Sequence, residues 1–269
     1  MAIGPVVISL PRLFFLISLI VAIFAANRLE KRTGKHIEAA LWLSLLVGLL
    51  VARAAYVLTH LQDFQDQPWQ ALFLWQDGYL AIAGILAALA IMIGHAHRAD
   101  YAIRTALLPL LVGLVVWGGF GWVQQALRDA TTKPLPALAV EDLQGRTTML
   151  DSFQGQPVVI NLWATWCPPC RREMPVLASA QEREPGVHFL FVNQGEGPGT
   201  IEQYLTSEQL VLQNVLLDLG SQVGRHFHSA GLPTTLFFDA NGQLIDSHIG
   251  ELSRARLGDY VRALKAQEK

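Results

Sequence analysis

The sequence predicts an α-helical membrane domain of about four transmembrane helices followed by a separate α/β domain, and three observations carry that expectation. Of 269 residues, 52% are hydrophobic and only 16% charged, which is unusually apolar for a soluble chain of this length. The long uncharged runs are confined to the region before residue 131, whereas the remainder mixes charged and apolar residues at globular spacing. Beyond residue 137, short β-rich runs alternate with helical ones. The division expected is therefore a multi-span membrane module over 1–130 and an α/β domain over 131–269. Nine Lys and Arg face six Asp and Glu over 1–128, and eleven face sixteen over 129–269, so no basic surface invites nucleic acid.

Stretches near 6–26, 38–60, 79–94 and 103–124 are long and apolar enough to cross a hydrocarbon core as helices. The first lacks the basic leading region and the small-residue cleavage site of a signal peptide, and is read as a span. Arg28, Lys31, Arg32 and Lys35 follow the first span, and Arg98 and Arg104 flank the gap after the third, so those loops are expected in the cytoplasm. Between the second and third spans there is no Lys or Arg. That stretch holds Asp63, Asp66 and Asp77, with Trp69 and Trp75 suited to an interfacial belt, and is expected outside. Four crossings from an outer N-terminus then return the chain to the outside, and everything beyond Arg128 is expected in the periplasm or its equivalent.

Arg53 falls inside the second span, where an ionised group must snorkel, pair or line a cavity. It reads either as a snorkelling residue near the outer end or as the mark of an anionic-lipid site. The run VARAAYVLTHLQDF, followed by LFLWQDGYLAIAGILAAL, resembles the N-terminal half of bacterial prolipoprotein diacylglyceryl transferases over some 90 residues. Where that family has a Gly-Met-Ser-Phe-His-Gly-Gly segment, this chain has Gly78-Tyr79-Leu80-Ala81-Ile82-Ala83-Gly84, so Ile82 stands at the histidine position. The resemblance therefore brings no catalytic proton chemistry with it.

In the second domain, Pro-containing 131–137 is read as a linker and a short strand is expected near 137–141. The run Val158-Val159-Ile160-Asn161-Leu162-Trp163 has the composition of a strand buried on both faces. From Pro168 to about Glu182 the pattern is helical. Further strands are expected at 187–193, 215–218, 234–239 and 243–248, and helices near 199–209, 221–228 and 253–265, with Asn241-Gly242 marking a hairpin. A βαβ half followed by an antiparallel hairpin half is an α/β sandwich of thioredoxin-like fold.

The two cysteines of the chain, Cys167 and Cys170, lie at the junction between the buried strand and the helix, in the run Trp-Cys-Pro-Pro-Cys. They are too close in sequence to staple a fold and are placed for reversible chemistry. Unpaired N–H groups and the helix dipole favour a thiolate at Cys167, the expected nucleophile. Cys170, three residues on, can reach the first sulfur and resolve a mixed disulfide. Pro168 and Pro169 suit a first turn, whose amides lack helical partners. Structural zinc needs four protein ligands, and no second cysteine pair exists.

The segments NLWATWCPPCRREMP and GLPTTLFFDANGQL are similar to the TlpA/ResA branch of thioredoxin-like proteins over about 135–265. That resemblance implies that Pro233 is a cis-proline facing the disulfide and holding substrate backbone beside the nucleophile. It also implies that Trp166 shields the nucleophile and that Glu173 is the active-site acid, the alternative for Glu173 being an ordinary solvated helix residue. Pro175 is expected to kink the helix. Thioredoxin has a buried acid where this chain has Asn161, which shifts proton transfer at Cys170 toward Glu173 or water.

The glycine-rich NQGEGPG at 193–199 lacks the ending of a phosphate loop and reads as a plain strand-to-helix connection. His226 and His228, two apart on a helix, point to different faces, and His95 and His97 read as polar flanks of the third span. The expected function is a membrane-anchored, periplasm-facing reductase of protein disulfides with no cofactor beyond its dithiol. Its rivals are a thiol oxidant or isomerase, a lipid-modifying transferase with a redox appendage, and a copper-delivery module. Residues 1–166 hold no cysteine. Exchange passes through mixed disulfides between sulfurs, so electrons are expected from a separate membrane donor of DsbD type.

Overall fold

The computed structural model describes residues 2–3, 6–7, 10–65, 68–74, 77–130 and 133–266. The chain forms two compact units, Met1–Thr131 and Thr132–Lys269.

In the first unit, β1 (Ala2–Ile3) and β2 (Val6–Val7) pair antiparallel. The first long helix, α1 (Leu10–Thr33), therefore begins later than the sequence suggested. Pro11 suits its first turn, where a missing N–H costs no helical bond. It is followed by α2 (Ile37–Thr59), α3 (Leu61–Phe64), a 3-10 turn at Pro68–Leu72, α4 (Ala81–Arg98) and α5 (Ile103–Ala130). The four long helices are each apolar and long enough to cross a membrane. Helix α1 packs on α5, and α2 on α4.

The α2–α4 contact follows from small residues four apart. Ser44, Gly48 and Ala52 form a buried stripe on α2, facing Gly84 and Ala88 on α4. A Cβ on Gly84 would meet the Gly48 carbonyl oxygen at 2.8 Å, and a Cβ on Gly48 the Gly84 oxygen at 2.9 Å. Backbones this close maximise dispersion where lipid supplies no hydrophobic drive. Ile82, in the first turn of α4, is 69% exposed. At the helix ends, Lys35 Nζ donates to the Ala99 carbonyl at 2.9 Å, which places the two Lys/Arg-flanked loops at one end of the unit.

Arg53 does not snorkel; its guanidinium is held inside the unit. Its side chain is buried, Nε donates to the Ala71 carbonyl at 3.0 Å, Nη1 to Gly78 at 3.0 Å and Nη2 to Gln70 at 2.8 Å. Longer contacts reach Asp77 and Phe73, and the guanidinium lies over the rings of Phe64 and Tyr79. Backbone carbonyls of the α2–α4 connection thus satisfy the cation. The cation and the irregular loop satisfy each other's hydrogen-bonding groups away from water. Asp66 and Trp75, singled out in that connection, lie outside the described residues.

The second unit is a seven-stranded sheet of order β4-β3-β7-β6-β5-β8-β9. Its strands are β3 (Ala139–Asp142), β4 (Thr147–Met149), β5 (Val158–Trp163), β6 (His188–Gln194), β7 (Val215–Asp218), β8 (Thr234–Phe238) and β9 (Leu244–Ile249). Strands β5, β6 and β7 are parallel, and β3, β4, β8 and β9 run antiparallel to their neighbours. The helices are α6 (Pro168–Arg183), α7 (Pro198–Ser207), α8 (Gln222–His226) and α9 (Arg254–Ala266).

Central β5 is buried at every residue, with alternate side chains in two cores. Val159 and Trp163 join Phe189, Phe191, Leu217, Met174 and Leu257 on one face. Val158, Ile160 and Leu162 join Leu190, Val192, Leu236 and Phe238 on the other. Two residues of the expected linker are tied to the domain. Leu135 N–H donates to the Gly242 carbonyl at 2.7 Å and Lys133 accepts from Leu244, so the chain pairs with the β8–β9 hairpin before β3 begins.

Candidate active site

The site sits where the parallel strands end. Strand β5 leads into a turn closed by Cys167 N–H to the Ala164 carbonyl at 3.2 Å, and Cys167 becomes the N-cap of α6. Pro168 and Pro169 fill the first turn. Cys170 forms a disulfide with Cys167 and also donates its backbone N–H to Cys167 Sγ at 3.3 Å. A sulfur held at a helix N-cap, accepting an orphan N–H, is stabilised as thiolate when the bond opens. Cys167 is 3% exposed and Cys170 fully buried, whereas Trp166 is 68% exposed.

Pro233 arrives from the neighbouring strand. Thr234 pairs with Leu162 across β8 and β5, so the preceding residue lies at the end of β5 from which the cysteine turn departs. The Leu232–Pro233 peptide is cis, the Pro233 carbonyl accepts from Gly250 N–H at 2.9 Å, and Leu232 packs against the core that contains both cysteines.

Glu173 lies one turn beyond Cys170 on α6 and is 1% exposed, so it is not a solvated surface residue. Its Oε1 accepts from Asn161 Nδ2 at 2.7 Å and its Oε2 from Leu252 N–H at 3.0 Å. Burial pushes its carboxyl up to about 8, against those two hydrogen bonds, and the charge of Glu251 adds to the rise. Asn161 also donates to Thr235 Oγ1 at 3.1 Å, while its own Oδ1 is buried with no hydrogen-bond partner among the described residues. The residue at the thioredoxin acid position thus serves to hold Glu173. Glu251 in turn pairs with Arg172 at 2.7 Å.

One contact had no signal in the sequence. Glu196, in the loop read as a plain connection, reaches the cysteine turn through Thr165. His226 ends α8 and His228 follows it with φ 52°, so the pair does not share a helix, and among the described residues no three His, Cys, Asp or Glu gather to hold a metal.

Comparison with known proteins finds relatives of the second unit. The thiol-disulfide oxidoreductase ResA of Geobacillus thermodenitrificans is 29% identical over 167 residues, covering 60% of this chain and 94% of that protein. ResA of Bacillus subtilis is 26% identical over 171 residues, with 62% and 94% covered. Solved structures similar to part of this chain include DsbF of Mycobacterium tuberculosis, at 25% identity, TM-score 0.45, 50% of this chain and 99% of that one. A putative DsbE from Chlorobium tepidum gives 25%, 0.45, 49% and 96%. The close cysteine pair and the ResA relatives define the chain as a thiol-disulfide oxidoreductase. The Redoxin family matches residues 130–264, half of the 269-residue chain, and the protein belongs to that family.

Proposed function

We propose that this protein is a membrane-anchored reductase of protein disulfides outside the cytoplasm. The observation that carries the reading is the succession on one helix of an N-cap cysteine, a buried cysteine at the first turn and a buried carboxyl at the second. In the reduced chain, the Cys167 thiolate attacks one sulfur of a substrate disulfide. A Cys167–substrate disulfide forms and the first substrate thiolate leaves and takes a proton. Cys170 gives its proton toward Glu173 and attacks the Cys167 sulfur, releasing the second substrate thiol and closing the Cys167–Cys170 disulfide. A carboxyl held near 8 is mostly protonated at neutral pH, so its ionised minority takes that proton and the rate rises as pH approaches 8. Pro233 presents its edge to substrate backbone, and Trp166 supplies an apolar surface beside the nucleophile.

Each turnover leaves the chain oxidised by two electrons. Residues 1–166 contain no cysteine to relay them, so a separate membrane donor of DsbD type re-reduces the pair. The four helices serve as anchor and docking surface. An outer location for the redox unit is supported by the Lys/Arg bias of the Arg28–Lys35 and Arg98–Arg104 loops. A reporter active only outside the cytoplasm should work when fused after Lys269 or within 61–77, and fail at Gly34. Activity of the Gly34 fusion would overturn the orientation.

A further inference from the structure

We infer that Glu196 is a positioning residue for thiol exchange, fixing from the β6–α7 loop the turn that presents Cys167. The inference deepens the reading above and rests on Cys167 being the nucleophile.

The turn Ala164–Cys167 is anchored at its two ends, where Ala164 and Cys167 are buried in the core, and Thr165 and Trp166 span the more exposed middle. Trp166 is largely exposed, and within the turn the backbone hydrogen bond is Cys167 N–H to Ala164, so the middle of the turn depends on contacts from outside it. Thr165, in that middle, is gripped by hydrogen bonds to another element. Its N–H donates to Glu196 Oε2 at 2.7 Å and its hydroxyl to Glu196 Oε1 at 2.5 Å, so one carboxylate fixes both the backbone and the side chain of the same residue. Hydrogen bonds to an ionised acceptor are the stronger kind, and two from one residue fix an orientation as well as a distance.

The grip transmits position because Glu196 is itself held. Asn193, fully buried at the end of β6 and paired in register with Trp163, donates Nδ2 to Glu196 Oε2 at 2.8 Å and accepts Glu196 N–H on Oδ1 at 3.2 Å. Gly195 between them has φ 87°, a left-handed conformation that glycine adopts without cost and that folds the loop back on itself. Its N–H is tied to the Asp218 carbonyl at 3.1 Å, and Asp218 accepts from Gln194, Gln222 and Val223. The cysteine turn is thereby referenced to the ends of β6 and β7. In-line attack on a disulfide demands that the thiolate be held to within a fraction of an ångström, and misplacement by about 1 Å can cost on the order of a hundredfold.

The test is the rate at which the reduced full-length chain in detergent reacts with oxidised glutathione, followed with the thermal transition of the same samples. Glu196→Ala should slow exchange between about ten- and a hundredfold without lowering thermal stability in proportion. Glu196→Gln should recover most of that rate, since a glutamine can accept from Thr165 N–H and Asn193 and donate to the Thr165 hydroxyl. A folded Glu196→Ala chain that reacts within twofold of the parent overturns the inference, and so does a Glu196→Gln chain as slow as the alanine variant. If Glu196→Ala does not fold, Thr165→Val carries the test: it loses one of the two bonds and should slow exchange by about three- to fivefold, and an unchanged rate overturns the inference. Exchange persisting in Cys167→Ala would instead show that the nucleophile itself had been misassigned.

Discussion

Alanine at Cys170 should convert the protein into a trap: Cys170→Ala accumulates mixed disulfides between Cys167 and its substrates, and turnover stops. The two sulfurs are chemically alike, and position separates them. Cys167 is at the N-cap, where the first-turn N–H groups and the helix dipole stabilise its thiolate, whereas Cys170 is one turn in and fully buried. An external disulfide can therefore meet only the first. Without Cys170 nothing resolves the intermediate, and release waits on an external thiol. Cys167→Ala should trap few or no partners and should also lose turnover. Non-reducing gels of membranes from cells expressing each variant read the outcome, and equal trapping by both would show that the roles are not set by helix position.

The second large effect concerns Glu173, and it runs in opposite directions for stability and for rate. Its carboxyl is pushed up to about 8 in the fold, from 4.5 for an unhindered side chain. Between those values the folded chain binds a proton that the unfolded chain releases, so stability falls as pH rises, by about 1.4 kcal/mol per pH unit. Nothing is lost below the unfolded value, and the loss levels off above about 8. At pH 7 the cost is on the order of 3 kcal/mol. Glu173→Gln abolishes the titration and should make the redox unit more stable by roughly 2–3 kcal/mol at pH 7, with little change near pH 4.5. The variant cannot exchange a proton with Cys170, so its thiol exchange should slow and the pH profile should lose its inflection near 8. Calorimetry of the redox transition at the two pH values, together with the rate profile, checks both. A stability gain of the Gln variant over the parent that is no larger at pH 7 than at 4.5 would mean that the carboxyl is ionised in the fold.

What the sequence revealed divides along a physical line. Val158–Trp163 announced itself because a strand between two others must be apolar on both faces. The cysteine run announced its helix because prolines are tolerated in a first turn, and Asn241-Gly242 announced its hairpin, with Gly242 at φ 75°. Each is a local constraint written in residue type. Strand β4 was not legible, because Thr147–Met149 is three residues long and alternates no apolar pattern. The Arg53 cage was not legible either, since its acceptors are backbone carbonyls, which every residue carries. Glu173 gave a signal through resemblance, yet its burial depends on Asn161 and Leu252, residues 12 and 79 positions away. Glu196 gave none: a glutamate between glycines looks like a solvated loop residue until the fold brings Thr165 to it.

The direction of electron flow is the part of the account most open to a single measurement, the equilibrium reduction potential of the Cys167–Cys170 pair in the full-length chain against glutathione buffers. Strongly oxidising members of this chemistry lie near about −120 mV and thioredoxin near about −270 mV, the difference being set by how far the reduced form is stabilised. A reductase requires a value below about −200 mV, toward that of thioredoxin. A value near −120 mV would make the protein an oxidant of thiols and contradict the reductive role proposed for it.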